Sequence, residues 1–548
     1  MGYRAEDELS ERPEFSLTIG YASDMGTAEY IAMQLADACK AAGVDVTETE
    51  LNDLSLDDVA AASHFIVVAS TFGEGEVPDN GAVFWEELSA SETRFDHLRY
   101  AVLALGDSSY ELFCNAGRIF EARLAELGAR PLADRVEYDC YREGDAREWI
   151  ADIAKMIEEA STTRGHAAAA PVAPRATPTR NTTGWTDANP YAATAVMNRL
   201  LTATESDKEV RHIELDLGDS GITYDAGDSV AVHPVNSPAL VEALLAKLGV
   251  DDTYVAAGAD RPLGELLTSH LEICAPSRAL QALVAARTDN AEAAAALSSS
   301  DPAVVSSWLY GRDVLDLLEL ADLTPDEVLE VLRPLQFRDY SIASSPLVHP
   351  DQLHLTVATV RYRERQRDRG GVASTFLADR GQSVRIHLRP NHNFRLPAPD
   401  VPIIMIGPGT GIAPFRAFLH ERQATAARGK AWLFFGDRRR ATDFLYGEEL
   451  TGFVDSGALT RLDLAFSREA DGPKTYVQHR MKDNATELFA WLQDGAHLYV
   501  CGDADRMAKD VDRALHEIVA EAGGLDAGAA HSYVNELIKA HRYLRDVY

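Results

Sequence analysis

At 548 residues the chain is too long for one hydrophobic core, and its length suggests about three or four domains. With 46% hydrophobic and 25% charged residues it has a globular composition, and no run approaches the roughly 18 apolar residues of a membrane span. A net charge of −34 sets nucleic acid aside as a partner, and five scattered cysteines without a Cys-x-x-Cys pair set aside a disulfide framework, a zinc site or an iron–sulfur cluster.

The chain opens on a polar, acidic segment, Met1 to Glu14, with no apolar h-region, so no signal peptide and a cytoplasmic location are expected. From 15 to 160, short apolar runs alternate with helical patterns. Leu17–Tyr21, Phe65–Ala69 and Ala101–Leu105 read as buried parallel strands, with helices from about Thr27, Gly81 and Asn115. This pattern predicts a doubly wound α/β domain. Residues 1–160 hold 34 acidic and 12 basic side chains, a balance of −22, against −12 for the remaining 388 residues. Charge concentrated in one domain predicts docking to a basic partner, steered most strongly at low salt.

In an open parallel sheet, ligands sit at the loops that leave the carboxyl ends of the strands. The first such loop, Ser23-Asp24-Met25-Gly26-Thr27-Ala28, offers hydroxyls and helix-start amides to a phosphate. The second holds Ser70, Thr71, Gly73 and Gly75, whose glycines let backbone approach a flat ring. The third runs from Leu105, Gly106 and Asp107 to Tyr110 and Phe113, with Tyr110 as a stacking face. Three loops in order at the correct strand ends resemble the flavodoxin family, which implies bound FMN. That family's phosphate loop usually carries Thr before the Gly. Here Met25 stands in that place and Asp24 adds an acid, which bears on FMN affinity.

Residues 161–184 are rich in Ala, Pro, Thr and Arg without periodicity and read as a flexible linker. From 185 to 398 strand patterns (Val210–Asp216, Leu353–Ala358, Ser383–His387) flank an Ala/Leu-rich helical block at about 237–333, predicting an antiparallel barrel with a helical insert. Arg338-Asp-Tyr340-Ser341 offers a guanidinium fork for diphosphate, a ring to stack and a hydroxyl for a flavin edge. Gly370-Gly371-Val372-Ala373-Ser374-Thr375 leads into a helix, suiting diphosphate at its N-terminus. The two segments together resemble the FAD domain of the ferredoxin–NADP reductase family.

A second α/β pattern fills 399–548, with strands at Pro402–Ile406, Ala431–Phe435 and His497–Cys501. Gly407-Pro-Gly409-Thr410-Gly411-Ile-Ala-Pro414 has dinucleotide-loop glycines, with Pro414 replacing the third Gly of the usual fingerprint. Ser467, Arg468, Lys474 and Tyr476 supply charge and hydroxyls for a 2′-phosphate, and with only nine lysines in the chain Lys474 is informative. NADPH is therefore expected over NADH.

From about residue 15 to 548 the chain resembles the diflavin reductases, which include cytochrome P450 reductase. It looks closest to the flavoprotein (alpha) subunit of NADPH sulfite reductase, on Asn189–Thr194, Val210–Glu214, Asn393–Leu396, Cys501–Asp510 and the terminal Asp546-Val-Tyr548. The resemblance implies Ser341, Cys501 and Asp546 as supports of hydride transfer, Tyr548 as an aromatic shield over FAD, and Gln478 beside the nucleotide. It also implies electron flow from NADPH through FAD and FMN to a protein acceptor. A sulfite reductase haemoprotein is the expected acceptor. A P450-type acceptor and, in another class, a non-catalytic flavin carrier are the alternatives. Whether the chain forms a homo-oligomer stays open, because the segment before the first strand is short.

Overall fold

The computed structural model describes all residues except 1–14, 24–25, 74, 109, 111, 140–143, 164–183 and 470–473. Asp24 and most of the expected linker therefore lie outside the described residues.

Strands β1 (Leu17–Ala22), β2 (Val46–Glu50), β3 (His64–Ser70), β4 (Arg99–Gly106) and β5 (Arg130–Pro131) lie in the order β2-β1-β3-β4-β5, with β6 (Val136–Asp139) also on β4. All pair in parallel. The apolar runs become strands because both faces are covered. Ile31, Leu35 and Trp149 of two helices pack one face, and Phe84, Leu88, Phe120 and Leu124 of two others pack the second. The polar strand β2, Val-Thr-Glu-Thr-Glu, carried no apolar signal. The helix Arg147–Thr163 also runs past the expected linker start, because Ser161 falls on its buried face and bonds back to Glu158 O at 2.8 Å.

Strands β7 (Tyr191–Leu200), β8 (Glu209–Asp216), β9 (Ser229–His233), β10 (Arg338–Ser341), β11 (Gln352–Thr359) and β14 (Ser383–Arg389) form an antiparallel sheet ordered β10-β9-β14-β7-β8-β11. A separate hairpin, β12 (Arg361–Glu364) and β13 (Arg367–Gly370), precedes the helix Val372–Asp379. The helices of the insert, Pro238 to Val331, enclose a core of their own around Leu244, Leu267, Leu280 and Leu317.

The third sheet, β17-β16-β15-β18-β19, is parallel throughout: β15 (Ile403–Ile406), β16 (Ala431–Asp437), β17 (Arg461–Phe466), β18 (His497–Gly502) and β19 (Tyr543–Val547). The chain terminus is thus an edge strand, with Cys501 opposite Asp546.

The first domain sits with its three loops against the other two. Asp79 pairs with Arg545 (2.6 Å), Glu86 with His531 (2.7 Å), Glu87 with Lys539 (2.8 Å), Glu76 with Lys509 (3.1 Å), Asp107 with Arg333 (2.9 Å) and Glu50 with His541 (3.8 Å). In every one of these pairs the acid belongs to the first domain. Arg389 also donates to Thr27 Oγ1 (3.2 Å), Arg278 to the Tyr110 carbonyl (3.0 Å), and Phe72 packs on the third domain's core.

Exposed ion pairs are screened by salt. Small-angle scattering at about 1 M salt, where the Debye length is about 3 Å, is expected to give a larger radius of gyration than at low salt, with far-UV circular dichroism unchanged. An unchanged radius would mean that apolar contacts hold the seam.

Candidate functional site

In the first loop, Gly26 takes a left-handed conformation (φ 73°) that starts the helix Thr27–Ala41, and the Ser23 hydroxyl accepts the Ala28 N–H at 3.0 Å. Helix-start amides are thereby gathered at one point, as an anion requires. Glu29 in the first turn is pushed up to about 7 by burial and by the charges of Glu50 and Glu48. The second loop turns tightly, with Phe72 and Glu76 exchanging backbone hydrogen bonds, and Thr71 Oγ1 accepts from Ala116 N at 3.2 Å. Ser70 ends β3, and Gly73 and Gly75 take positive φ. In the third loop Leu105 and Gly106 end β4, Asp107 is paired with Arg333, Arg118 lies over the Phe113 ring, and Tyr110 stays 58% exposed. The fold brings these three loops together, so the donor set and open ring fit FMN.

On the barrel, Arg338, Tyr340 and Ser341 all lie on β10. The Arg338 guanidinium is exposed and donates to the Phe337 carbonyl (3.0 Å). Gly371 caps the helix that Val372, Ala373 and Ser374 begin. The Ser374 hydroxyl accepts from Val360 N at 3.1 Å, so it pins the helix start to the link between β11 and β12.

Ser341 Oγ donates to Asp546 Oδ2 at 2.6 Å, and Cys501 Sγ lies 3.7 Å from the same oxygen. Three residues from three distant parts of the sequence thus share one buried oxygen. Burial raises the Asp546 carboxyl, partly offset by the Ser341 bond, and burial pushes the Cys501 thiol well up, so it stays protonated. The Tyr548 backbone is tied to Gly502 and Ala504, and its hydroxyl meets Thr410 Oγ1 at 2.7 Å. Its ring is nevertheless 63% exposed, a fixed aromatic face that fits a flavin.

The dinucleotide loop follows β15. Gly409 takes positive φ, and Gly411 lies so close to β18 that a Cβ would overlap the Cys501 carbonyl. Beside Gly409, Asp437 at the end of β16 accepts from Lys208 Nζ at 2.5 Å, while its other oxygen is buried without a partner among the described residues. That orphan acceptor fits a ribose hydroxyl of a bound nucleotide.

Ser467 and Arg468 follow β17, alongside Arg438, Arg439 and Arg440 after β16. Lys474 and Tyr476 are exposed nearby in sequence, and Gln478 donates to Asp510 (3.2 Å). Sequence reasoning missed Arg438–Arg440, whose signal is a run of basic residues directly after an apolar strand. It also missed Lys208 and Asp207, which reach in from the barrel and leave no local trace of doing so.

His212, Glu214 and His354 bring potential metal ligands within 4.8 Å of one another. Arg416 donates to His354 Nδ1 (3.2 Å), and His212 bonds Tyr446 OH (2.9 Å). Burial and the Arg416 charge press His212 to about 3 and His354 to about 2. The guanidinium disfavours a cation there, and the two uncharged imidazoles help join the barrel to the third domain through Tyr446 and Arg416.

A doubly wound domain with a flavin-type face, a barrel and a nucleotide domain around one Ser–Cys–Asp cluster define a two-flavin reductase driven by a nicotinamide nucleotide. The flavodoxin family matches residues 19–149, the FAD binding domain 185–376 and the oxidoreductase NAD-binding domain 405–513. The chain is 40% identical over 544 residues to the sulfite reductase [NADPH] flavoprotein alpha-component of Bacillus subtilis (strain 168), covering 97% of this chain and 89% of that one. It is 42% identical over 545 residues to that of Cronobacter sakazakii (98% and 90%), and 41% over 541 residues to that of Vibrio cholerae (97% and 87%). The chain belongs to the sulfite reductase [NADPH] flavoprotein alpha-component family. It is an NADPH-dependent flavoprotein oxidoreductase with FMN, FAD and NADPH as cofactors, and electrons pass from NADPH to FAD to FMN.

Gly411→Ala is expected to lower stability by about 1–3 kcal/mol through overpacking and to weaken nucleotide binding. Thermal unfolding and NADPH titration of the same preparation check both.

Proposed function

We propose that electrons leave FMN singly for the haemoprotein subunit of an assimilatory sulfite reductase in the cytoplasm, docked on the acidic flavin face of the first domain. The observation that carries this reading is the polarity of the domain seam. Each ion pair named there puts the acid on the first domain, so a basic partner surface can replace Arg545, Lys539 and Lys509 once that domain is released. The name shared by the relatives supports this choice of acceptor.

When bound, FAD takes a two-electron hydride and FMN passes single electrons. Around that chemistry the chain's own residues bind and orient. Ser23, Gly26, Thr27 and Ala28 would hold the FMN phosphate, and the second and third loops its ring. Arg338, Tyr340, Ser341 and residues 371–374 would hold FAD. Gly409, Thr410 and Gly411 would hold the NADPH diphosphate, with Ser467, Arg468, Lys474 and Tyr476 at the 2′-phosphate. Asp546 orients the Ser341 hydroxyl, and the neutral Cys501 thiol would add no charge where the nicotinamide would sit. The Tyr548 ring would cover the face of bound FAD, and releasing its hydroxyl from Thr410 would let it move aside for the nicotinamide.

Asp546→Ala removes the acceptor of Ser341 and is expected to slow anaerobic flavin bleaching by NADPH by about 10- to 100-fold, with FAD content unchanged by absorbance. In stopped-flow mixing with NADPH and then a sulfite reductase haemoprotein, flavin bleaching should be followed by haem reduction. Bleaching without haem reduction would move the acceptor to P450-like proteins, and absence of bleaching would leave a flavin carrier.

Glu29 offers a pH test of the first loop. With its carboxyl pushed up to about 7, deprotonation as pH rises adds negative charge in the first helical turn, near where the phosphate would bind. FMN dissociation should therefore quicken from about pH 6 to 8, and Glu29→Gln should flatten the profile, as followed by FMN fluorescence.

A further inference from the structure

The loop Thr202–Lys208 of the barrel crosses to the nucleotide domain and is pinned on both sides of Asp207. Thr202 Oγ1 donates to the Lys208 carbonyl (3.0 Å), and Ala203 N donates to the Thr442 carbonyl (2.9 Å). Ser206 Oγ bonds Asp443, and the Lys208 ammonium reaches Asp437 at 2.5 Å. Between these anchors, one Asp207 oxygen lies 3.0 Å from Arg439 Nη1 and 3.2 Å from Arg468 Nη1. A carboxylate shared by two guanidinium groups occupies the position that a phosphate oxygen would take between them. The charges facing it are Arg438, Arg439 and Arg468, whose combined pull holds the Asp207 carboxyl below the usual range. The next acid along, Glu469, is turned to the Arg440 backbone N–H at 2.7 Å.

We infer that Asp207 is an internal stand-in for the 2′-phosphate of NADPH, which the incoming nucleotide must displace from Arg439 and Arg468. This rests on the reading of Arg468 as part of the 2′-phosphate site. The carboxylate keeps the two arginines extended and ordered while no nucleotide is bound. It also competes with the phosphate and repels it once it has arrived. The phosphate carries close to two negative charges at neutral pH and Asp207 one, so the nucleotide wins the exchange at reduced affinity. A nucleotide without the 2′-phosphate does not contest these arginines. Asp207 therefore narrows the preference for NADPH over NADH and hastens release of the oxidised nucleotide.

The test uses the full-length holoenzyme carrying Asp207→Asn, with 2′,5′-ADP and 5′-AMP as titrants in calorimetry. The loss of one exposed competitor is expected to tighten 2′,5′-ADP binding about three- to tenfold and leave 5′-AMP binding unchanged. The KM for NADPH should fall in parallel while that for NADH does not. Unchanged or weaker 2′,5′-ADP binding would overturn the stand-in, the weaker result meaning that Asp207 only positions the arginines. Arg468→Ala separates the two levels of the argument. If it weakens 2′,5′-ADP while Asp207→Asn has no effect, the site reading stands and the stand-in falls. If Arg468→Ala leaves 2′,5′-ADP binding unchanged, both fall.

Discussion

The five residues of the terminal strand β19 connect all three domains, and the pleat of that strand is the reason. Successive side chains of a strand point to opposite faces. Arg545 therefore reaches the first domain at Asp79, while Asp546, its neighbour, reaches the barrel at Ser341 and lies against Cys501 of its own domain. Pairing with β18 sets the register that makes this possible, Cys501 opposite Asp546 and Gly502 opposite Val547. A one-residue slip would send the carboxylate to the wrong face and the guanidinium into the flavin cluster.

The two faces of β19 differ in how firmly they hold. On the Asp546 side the groups are buried, and hydrogen bonds that satisfy a buried carboxylate are expensive to leave unmade. On the Arg545 side the contacts continue outward into exposed pairs such as Glu86–His531 and Lys539–Glu87, each worth about 0–1 kcal/mol. The barrel and the nucleotide domain are thereby held together, reinforced by the Arg416 bond to the Ala343 carbonyl (2.7 Å) and by the histidine network beside it. The first domain is held by contacts that can be exchanged. A protein that must present one flavin face first to an internal donor and then to an external acceptor needs this inequality.

The same economy governs charge at the nucleotide edge. Four arginines at the ends of β16 and β17 would repel one another in the absence of an anion, and one acid from a different domain, Asp207, holds two of them in place. In the proposed reading, domain packing and nucleotide recognition therefore share side chains.

Much of this was legible in the sequence because it is local. The buried strands Leu17–Ala22, Ile403–Ile406 and His497–Gly502 announce themselves as apolar runs, and the loops after them carry Gly, Ser and Thr in patterns that belong to phosphate and flavin chemistry. The family resemblance of the Arg-x-Tyr-Ser segment, the Cys501-Gly-Asp segment and the terminal Asp-Val-Tyr pointed to Ser341, Cys501, Asp546 and Tyr548 from the sequence alone. Strand β2 escaped because four of its five side chains are polar at a sheet edge, and the end of the Arg147–Thr163 helix because a serine on a buried face looks like linker. What only the tertiary structure decided are contacts between residues hundreds of positions apart: Ser341 with Asp546, Asp79 with Arg545, Asp207 with Arg439 and Arg468. Periodicity and propensity report the local chain, whereas these pairings depend on how finished domains pack, and a charged residue reads the same in sequence whether it faces water or a partner.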